Sequence, residues 1–94
     1  MIPPTVFAGT LFRHYAAAVV EVERRVAELR ALTGLDQASA IQWMTVLAGI
    51  QATSRTGTPD TAWELFRRGI MEGATPVAAA AYVVEHFARR DGRA

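Results

Sequence analysis

Residues 12–29 read FRHYAAAVVEVERRVAEL, and their large apolar side chains recur at alternating intervals of three and four residues. This heptad pattern is typical of an α-helix that packs against another helix along one narrow stripe. We call this stripe the apolar seam, and its members are Phe12, Tyr15, Val19, Val22, Val26 and Leu29. The seam predicts a long first helix over residues 10–33. Gly34 ends it, because glycine readily adopts the left-handed conformation that terminates helices.

The residues before this helix are predicted to form an extended N-terminal arm over residues 1–8. They contain the pair Pro3-Pro4. A residue that precedes proline disfavours the helical conformation, and the first helix is therefore expected to begin only after the arm.

The second helix is predicted over residues 37–54, with Asp36 as its N-cap. Its interior contains no charged residue. A helix that is apolar nearly all round is usually buried, so we expect this one to be the central helix of the fold. Thr45, Gly49 and Thr53 form a stripe of small residues on it, which predicts the close approach of another backbone.

Two shorter helices are predicted over residues 59–72 and 76–90. Each opens with a Thr-Pro pair, in which threonine caps the helix and proline occupies its first position. Gly73 separates them. The sequence therefore predicts an all-α fold, in the form of a small four-helix domain that spans residues 1–94. It has one long helix, one buried central helix and two short C-terminal helices.

Composition and helix length together predict self-association. Hydrophobic residues make up 51% of the 94 residues, and a chain this small buries only a limited share of its surface. At 1.5 Å per residue the first helix spans roughly 35 Å, whereas the last two span about 20 to 22 Å each. Part of the seam is thus expected to be covered by another copy, in a homo-oligomer. Alternatively, the short helices cover successive halves of the first helix, and the whole seam packs inside one chain.

The register of charges beside the seam favours an antiparallel pairing of first helices. A parallel pair would place Arg25 against Arg30 of the other chain, which is repulsive. An antiparallel pair centred near Val26 would instead bring Glu23 close to Arg30.

The residue inventory offers little for catalysis. The chain has no cysteine, and its two histidines, His14 and His86, lack the spacing of a helical metal site. Carboxylates alternate with arginines in the manner of a solvated surface, and the glycines form no phosphate-binding loop. We therefore predict no catalytic, cofactor-binding or metal-ligating residue, and we expect a protein that is not an enzyme.

DNA binding is the alternative function. The third helix, the Gly73 turn and the fourth helix have the order of a helix-turn-helix unit. Arg67, Arg68, Arg89 and Arg90 are the candidate nucleic-acid contacts. However, the fourth helix begins with Pro76 followed by valine and alanines, which cannot specify base edges, and the net charge is only +1.

The sequence favours a non-enzymatic protein–protein interaction module, which binds its own copies or a larger protein partner through an apolar helix face. The expected interface is whichever part of the apolar seam the rest of the chain leaves uncovered, with Trp43 or Trp63 as an anchor if exposed. The first residues lack the basic start of a signal peptide, and the longest uncharged run is too polar to span a membrane. A cytoplasmic location is therefore expected.

Overall fold

The computed structural model of the chain describes residues 4–53 and 61–90, which form four α-helices and no strand. The helices are α1 (Pro4–Thr33), α2 (Gln37–Thr53), α3 (Thr61–Met71) and α4 (Pro76–Arg90). The all-α, four-helix fold predicted from the sequence is confirmed.

The N-terminal arm is the main correction to the predicted elements. Helix α1 begins at Pro4, so the prediction of an extended arm is wrong for residues 4–8, while residues 1–3 lie outside the described part of the chain. Proline is well suited to the first position of a helix, because its φ angle is already helical and the N–H that it lacks has no partner there. The Pro3-Pro4 pair therefore marks the start of a helix. With 30 residues, α1 is about 45 Å long.

The remaining bounds differ from the predicted ones by at most a few residues. Ser54, predicted to end the second helix, lies outside the described residues, as do residues 58–60 with the predicted Thr-Pro start of the third helix. Helix α3 ends at Met71, and Glu72 belongs to the following turn.

The helix ends show why the chain turns where it does. Gly34 and Gly73 have φ angles of 76° and 99°, a conformation that other residues rarely adopt. The Gly34 N–H donates to the Arg30 carbonyl oxygen at 2.8 Å and so closes α1. At the start of α2, the Ser39 N–H donates to the Asp36 carboxylate at 3.2 Å. Hydrogen bonds from the Ser39 side chain and backbone lower the pKa of Asp36 below its ordinary value, because they stabilise the charged form.

The core is concentrated in the C-terminal half of the chain. The largest fully buried side chains are Phe66 on α3, Val83 and Phe87 on α4, and Leu29 on α1. The Phe66 ring stacks on Trp43 of α2, with centroids 5.7 Å apart, and lies tilted against Trp63 at 6.3 Å. Phe66 thus joins α2 to α3 at the centre of the core.

Helix α2 is central, as predicted, but it is not buried all round. It packs against each of the other three helices, and yet Ala40 and Leu47 are its only buried residues. Ile41 and Val46 remain exposed, because α3 and α4 cover one side of α2 and leave the other open. The molecule is accordingly flat, with extents of 50 × 35 × 17 Å.

The predicted close approach at Gly49 is also wrong for the isolated chain. A Cβ atom added at Gly49 would meet no atom within 4 Å, so none of the described residues uses the space beside it. The tight contact lies instead between α3 and α4, where a Cβ atom at Gly69 would come within 3.2 Å of the Ala79 Cβ atom.

Phe66→Ala should remove about 3–5 kcal/mol from the free energy of unfolding, because it deletes a fully buried ring and leaves a cavity. The matched control is Tyr82→Ala, which truncates an exposed aromatic residue of α4 and should cost about 0.5 kcal/mol or less. Urea unfolding followed by circular dichroism measures both values. Equal losses for the two variants would contradict this placement of the core.

Candidate protein-interaction surface

The structure divides the apolar seam into a buried end and an uncovered part. Leu29 is fully buried and Val26 is 7% exposed, whereas Val22 and Val19 are 44% and 37% exposed. The side chains of Phe12 and Tyr15 lie outside the described ones, although their backbone belongs to α1. The same heptad stripe therefore packs inside the chain at its C-terminal end and faces outward at Val19 and Val22.

Helix α2 accompanies α1 as far as Val22, and α1 continues beyond the end of α2. The turn at Gly34 brings α2 back along the C-terminal half of α1, so that Ile41 lies near Val26 and Arg30, and Ala48 lies near Val22. Helix α2 has 17 residues and α1 has 30, and α2 consequently ends while about 20 Å of α1 still extends beyond it. Among the described side chains of α1, none from Arg13 to Arg25 is buried.

Val22 lies where three shallow grooves meet. One groove, of about 400 Å³, runs between α1, α2 and α3 past Met44 and Ala48. The second lies between α1 and α2 beside Ile41, and the third lies on α1 beside Ala18 and Val19. The grooves adjoin one another at Val22, and apolar side chains line most of them, with Glu23, Arg25, Arg30, Gln37 and Gln51 as the polar members. We call the apolar area around Val22 the Val22 surface, defined by Ala18, Val19, Val22, Ile41, Met44 and Ala48.

Charged side chains lie at the edges of this surface; Glu23 and Arg30 line its grooves, and others form ion pairs with each other. Glu21 contacts Arg24 and Arg25, each at 3.1 Å, and the Arg25 guanidinium lies over the Trp63 ring, 5.9 Å from its centroid. Glu28 pairs with Arg67 and so links α1 to α3. A polar rim around an apolar centre is the usual anatomy of a protein–protein interface.

Neither tryptophan provides an exposed anchor for a partner. Trp63 is buried and forms part of the wall of the largest of the three grooves, while Trp43 is partly buried and stacks on Phe66. Both side chains therefore contribute to the core of the chain.

The antiparallel pairing of first helices cannot be centred at Val26 as predicted. Val26 and Leu29 are covered by their own chain, so a second helix has no access to that end of the seam. Glu23 and Arg30, the charges that suggested this centre, both remain exposed. Any contact through the seam has its centre closer to the N-terminus of α1.

The arginines considered for DNA binding do not form one patch. Arg67 pairs with Glu28, and Arg89 pairs with Glu85 of its own helix. Arg68 shares a shallow groove with Glu64 and Glu72, so charges of both signs alternate there. Arg68 adjoins Gly69, which lies against Ala79 of α4. Arg90 is eleven positions further along α4 than Ala79, at a distance of about 16 Å along the helix axis.

Sequence reasoning missed the contribution of α2 to the surface. Ile41, Met44 and Ala48 lie on one face of α2 at intervals of three and four residues. The sequence did indicate this contribution, because the helix contains no charged residue. It was interpreted as evidence of burial within the chain, and the structure leaves this face open beside Val22.

The described residues show two further features that bear on function. No three of their His, Asp and Glu side chains are grouped so that they could hold a metal ion. None of the helices in residues 4–53 and 61–90 is long and apolar enough to cross a membrane. Comparison of the chain with models of protein families, with curated proteins and with solved structures found no match.

Val22→Arg and Leu29→Arg should have very different effects on folding, although both place an arginine on the same seam. Val22→Arg should change the free energy of unfolding of dilute protein by less than about 1 kcal/mol, because the new side chain reaches water. Leu29→Arg should cost at least about 3 kcal/mol, because it removes a buried side chain and buries an unpaired charge. Denaturant titration of both variants checks this, and similar losses would show that Val22 belongs to the core.

Proposed function

We propose that this chain is a non-enzymatic, cytoplasmic protein–protein interaction module that binds through the Val22 surface and the adjoining uncovered part of α1. The observation that carries the proposal is the division of the seam at Val22. A single heptad stripe is buried at Val26 and Leu29 and exposed at Val22 and Val19 of the same helix. Contiguous exposed apolar surface with a polar rim is typical of sites that bind other proteins.

The ion pairs and hydrogen bonds of the titratable groups support the proposal that the protein is not an enzyme. Glu21 and Glu85 lie in exposed ion pairs with arginines, and Asp36 caps α2. A general acid or base needs a pKa close to the working pH. The pKa of Asp36 is lowered, and it is therefore further from neutral pH than that of an ordinary carboxyl group. The hydrogen bonds of a helix cap account for this shift.

DNA binding remains the second interpretation of the sequence, and the arrangement of charges gives it less support. Half of its candidate arginines are engaged with glutamates, and the rest are separated along α4 or interleaved with acidic side chains. Phosphate binding depends on unopposed positive charge, which these pairs diminish.

A photo-crosslinking amino acid at position 22 tests the proposal directly. In cells of the natural source, Val22→benzoylphenylalanine should give covalent adducts with a second protein chain, either another copy or a different protein. The matched control places the same group at Val20, an exposed valine on the opposite side of α1. Adducts should be at least about tenfold fewer there, because a side chain outside the interface is not held against a partner. Equal yields at both positions, or no adduct at position 22, would refute the proposed surface.

A further inference from the structure

We propose that the Val22 surface binds a second copy of this chain, in a twofold arrangement in which the two α1 helices run antiparallel. The extension of α1 beyond α2 in one copy then lies along the uncovered seam of the other. This inference rests on the proposed function and adds the identity of the partner and the geometry of the contact.

The exposed area of the chain matches the needs of a dimer. The chain exposes 6527 Å² at a mass of 10.2 kDa, whereas a folded monomer of this mass exposes roughly 5,300 Å². The difference is about 1,200 Å², and each partner in a stable interface of standard size buries about 800 Å². The radius of gyration, 15.8 Å, likewise exceeds the roughly 12 Å of a compact chain of this length. A single interface of standard size would therefore cover about two thirds of the surplus.

The lengths of the helices favour the antiparallel direction. The bulk of the chain, formed by α2, α3 and α4, lies beside the C-terminal half of α1. In a parallel pair, the α2–α4 bundles of the two copies would lie at the same end of the paired helices and compete for the same side of the seam. In an antiparallel pair, the α2–α4 bundle of each copy lies beside the part of α1 that extends beyond α2 in the other copy. One kind of contact then covers both extensions, as in an isologous dimer.

The distribution of charge fits a second copy as well. Between Pro4 and Val20 the only charged residue of α1 is Arg13, which lies on the side of the helix opposite Val22. Helix α2, which contributes half of the Val22 surface, carries no charge at all. Contact between these faces would bring few charges together at its centre, and Glu23 and Arg30, which line the grooves, lie beside it. A partner recognised by its charge would find no complement at the centre of this surface.

The geometry also predicts where the twofold axis passes. In the proposed contact the two helices pair along the seam from Phe12 to Val22, and the midpoint of that stretch falls at Ala17. Residues close to this midpoint on the seam side, such as Ala18, approach their own equivalents in the other copy. Val20, on the opposite side of α1, stays remote from its equivalent. Because the chain has no cysteine, one thiol can be placed at either position without interference.

The test combines chain mass in solution with thiol crosslinking. Sedimentation equilibrium of the purified full chain should show a dimer at micromolar concentration. Val22→Arg should weaken the dimer at least about thirtyfold, as expected for a central contact, while the matched control Val20→Arg leaves it unchanged. Ala18→Cys should give a crosslinked dimer with a short bismaleimide, and Val20→Cys should not. The crosslinking result does not depend on the folding of the arginine variant, which circular dichroism checks separately.

Three results would overturn the proposal. The first is a monomer at concentrations up to a hundred micromolar. The second is a dimer that Val22→Arg leaves intact, and the third is a dimer that crosslinks equally at Val20→Cys. A monomer whose position 22 is nevertheless crosslinked to a different protein in cells would retain the proposed function and exclude only the second copy.

Discussion

The division of the apolar seam between Val26 and Val22 is the feature on which the rest of the account depends. Helix α2 returns along α1 from Gly34 and reaches Val22, yet the seam is buried only at Val26 and Leu29 and is exposed at Val22 and Val19. Full burial of a valine side chain is worth about 1.5 kcal/mol or more. Val19 and Val22 are 37% and 44% exposed, so each forgoes less than half of that free energy in the single chain. In the proposed dimer, contact with the other chain supplies the missing cover.

The stability of the single chain resides mainly in its C-terminal half. Phe66, Val83 and Phe87 lie on α3 and α4, and α2 meets them through Trp43 and Leu47. The N-terminal half of α1 contributes none of the described buried side chains. Regions with few buried apolar contacts open more readily than the core, so the stability of this half of α1 depends on what covers it. Binding and local order are coupled through the same side chains.

Sequence reasoning predicted the order of the helices because local chemistry fixes it. The residues that begin and end the helices act on their immediate neighbours. The structure shows them at helix ends: Gly34, Asp36, Gly73 and the pair Thr75-Pro76. The Pro3-Pro4 pair was misinterpreted because proline both excludes helix before it and initiates helix after it. Only the structure shows which effect decides the conformation of residues 4–8.

The candidate surface was harder to predict because heptad patterns do not reveal what covers them. Val26 and Val19 occupy equivalent positions of the seam, yet Val26 is buried by its own chain and Val19 is exposed. The uncharged face of α2 is ambiguous for the same reason. Ile41 and Met44 would have the same residue types whether they packed against the same chain or against a copy. Tertiary placement decides between these cases, and it leaves this face beside Val22.

Amide hydrogen exchange along α1, measured at increasing protein concentration, tests the central claim most directly. The account predicts that protection of residues 13–22 rises with concentration, whereas protection of residues 26–33 stays constant, because only the first segment is covered by another chain. Equal protection of both segments at the lowest concentration, with no further change, would show that α1 is stabilised along its whole length by its own chain and would contradict the account.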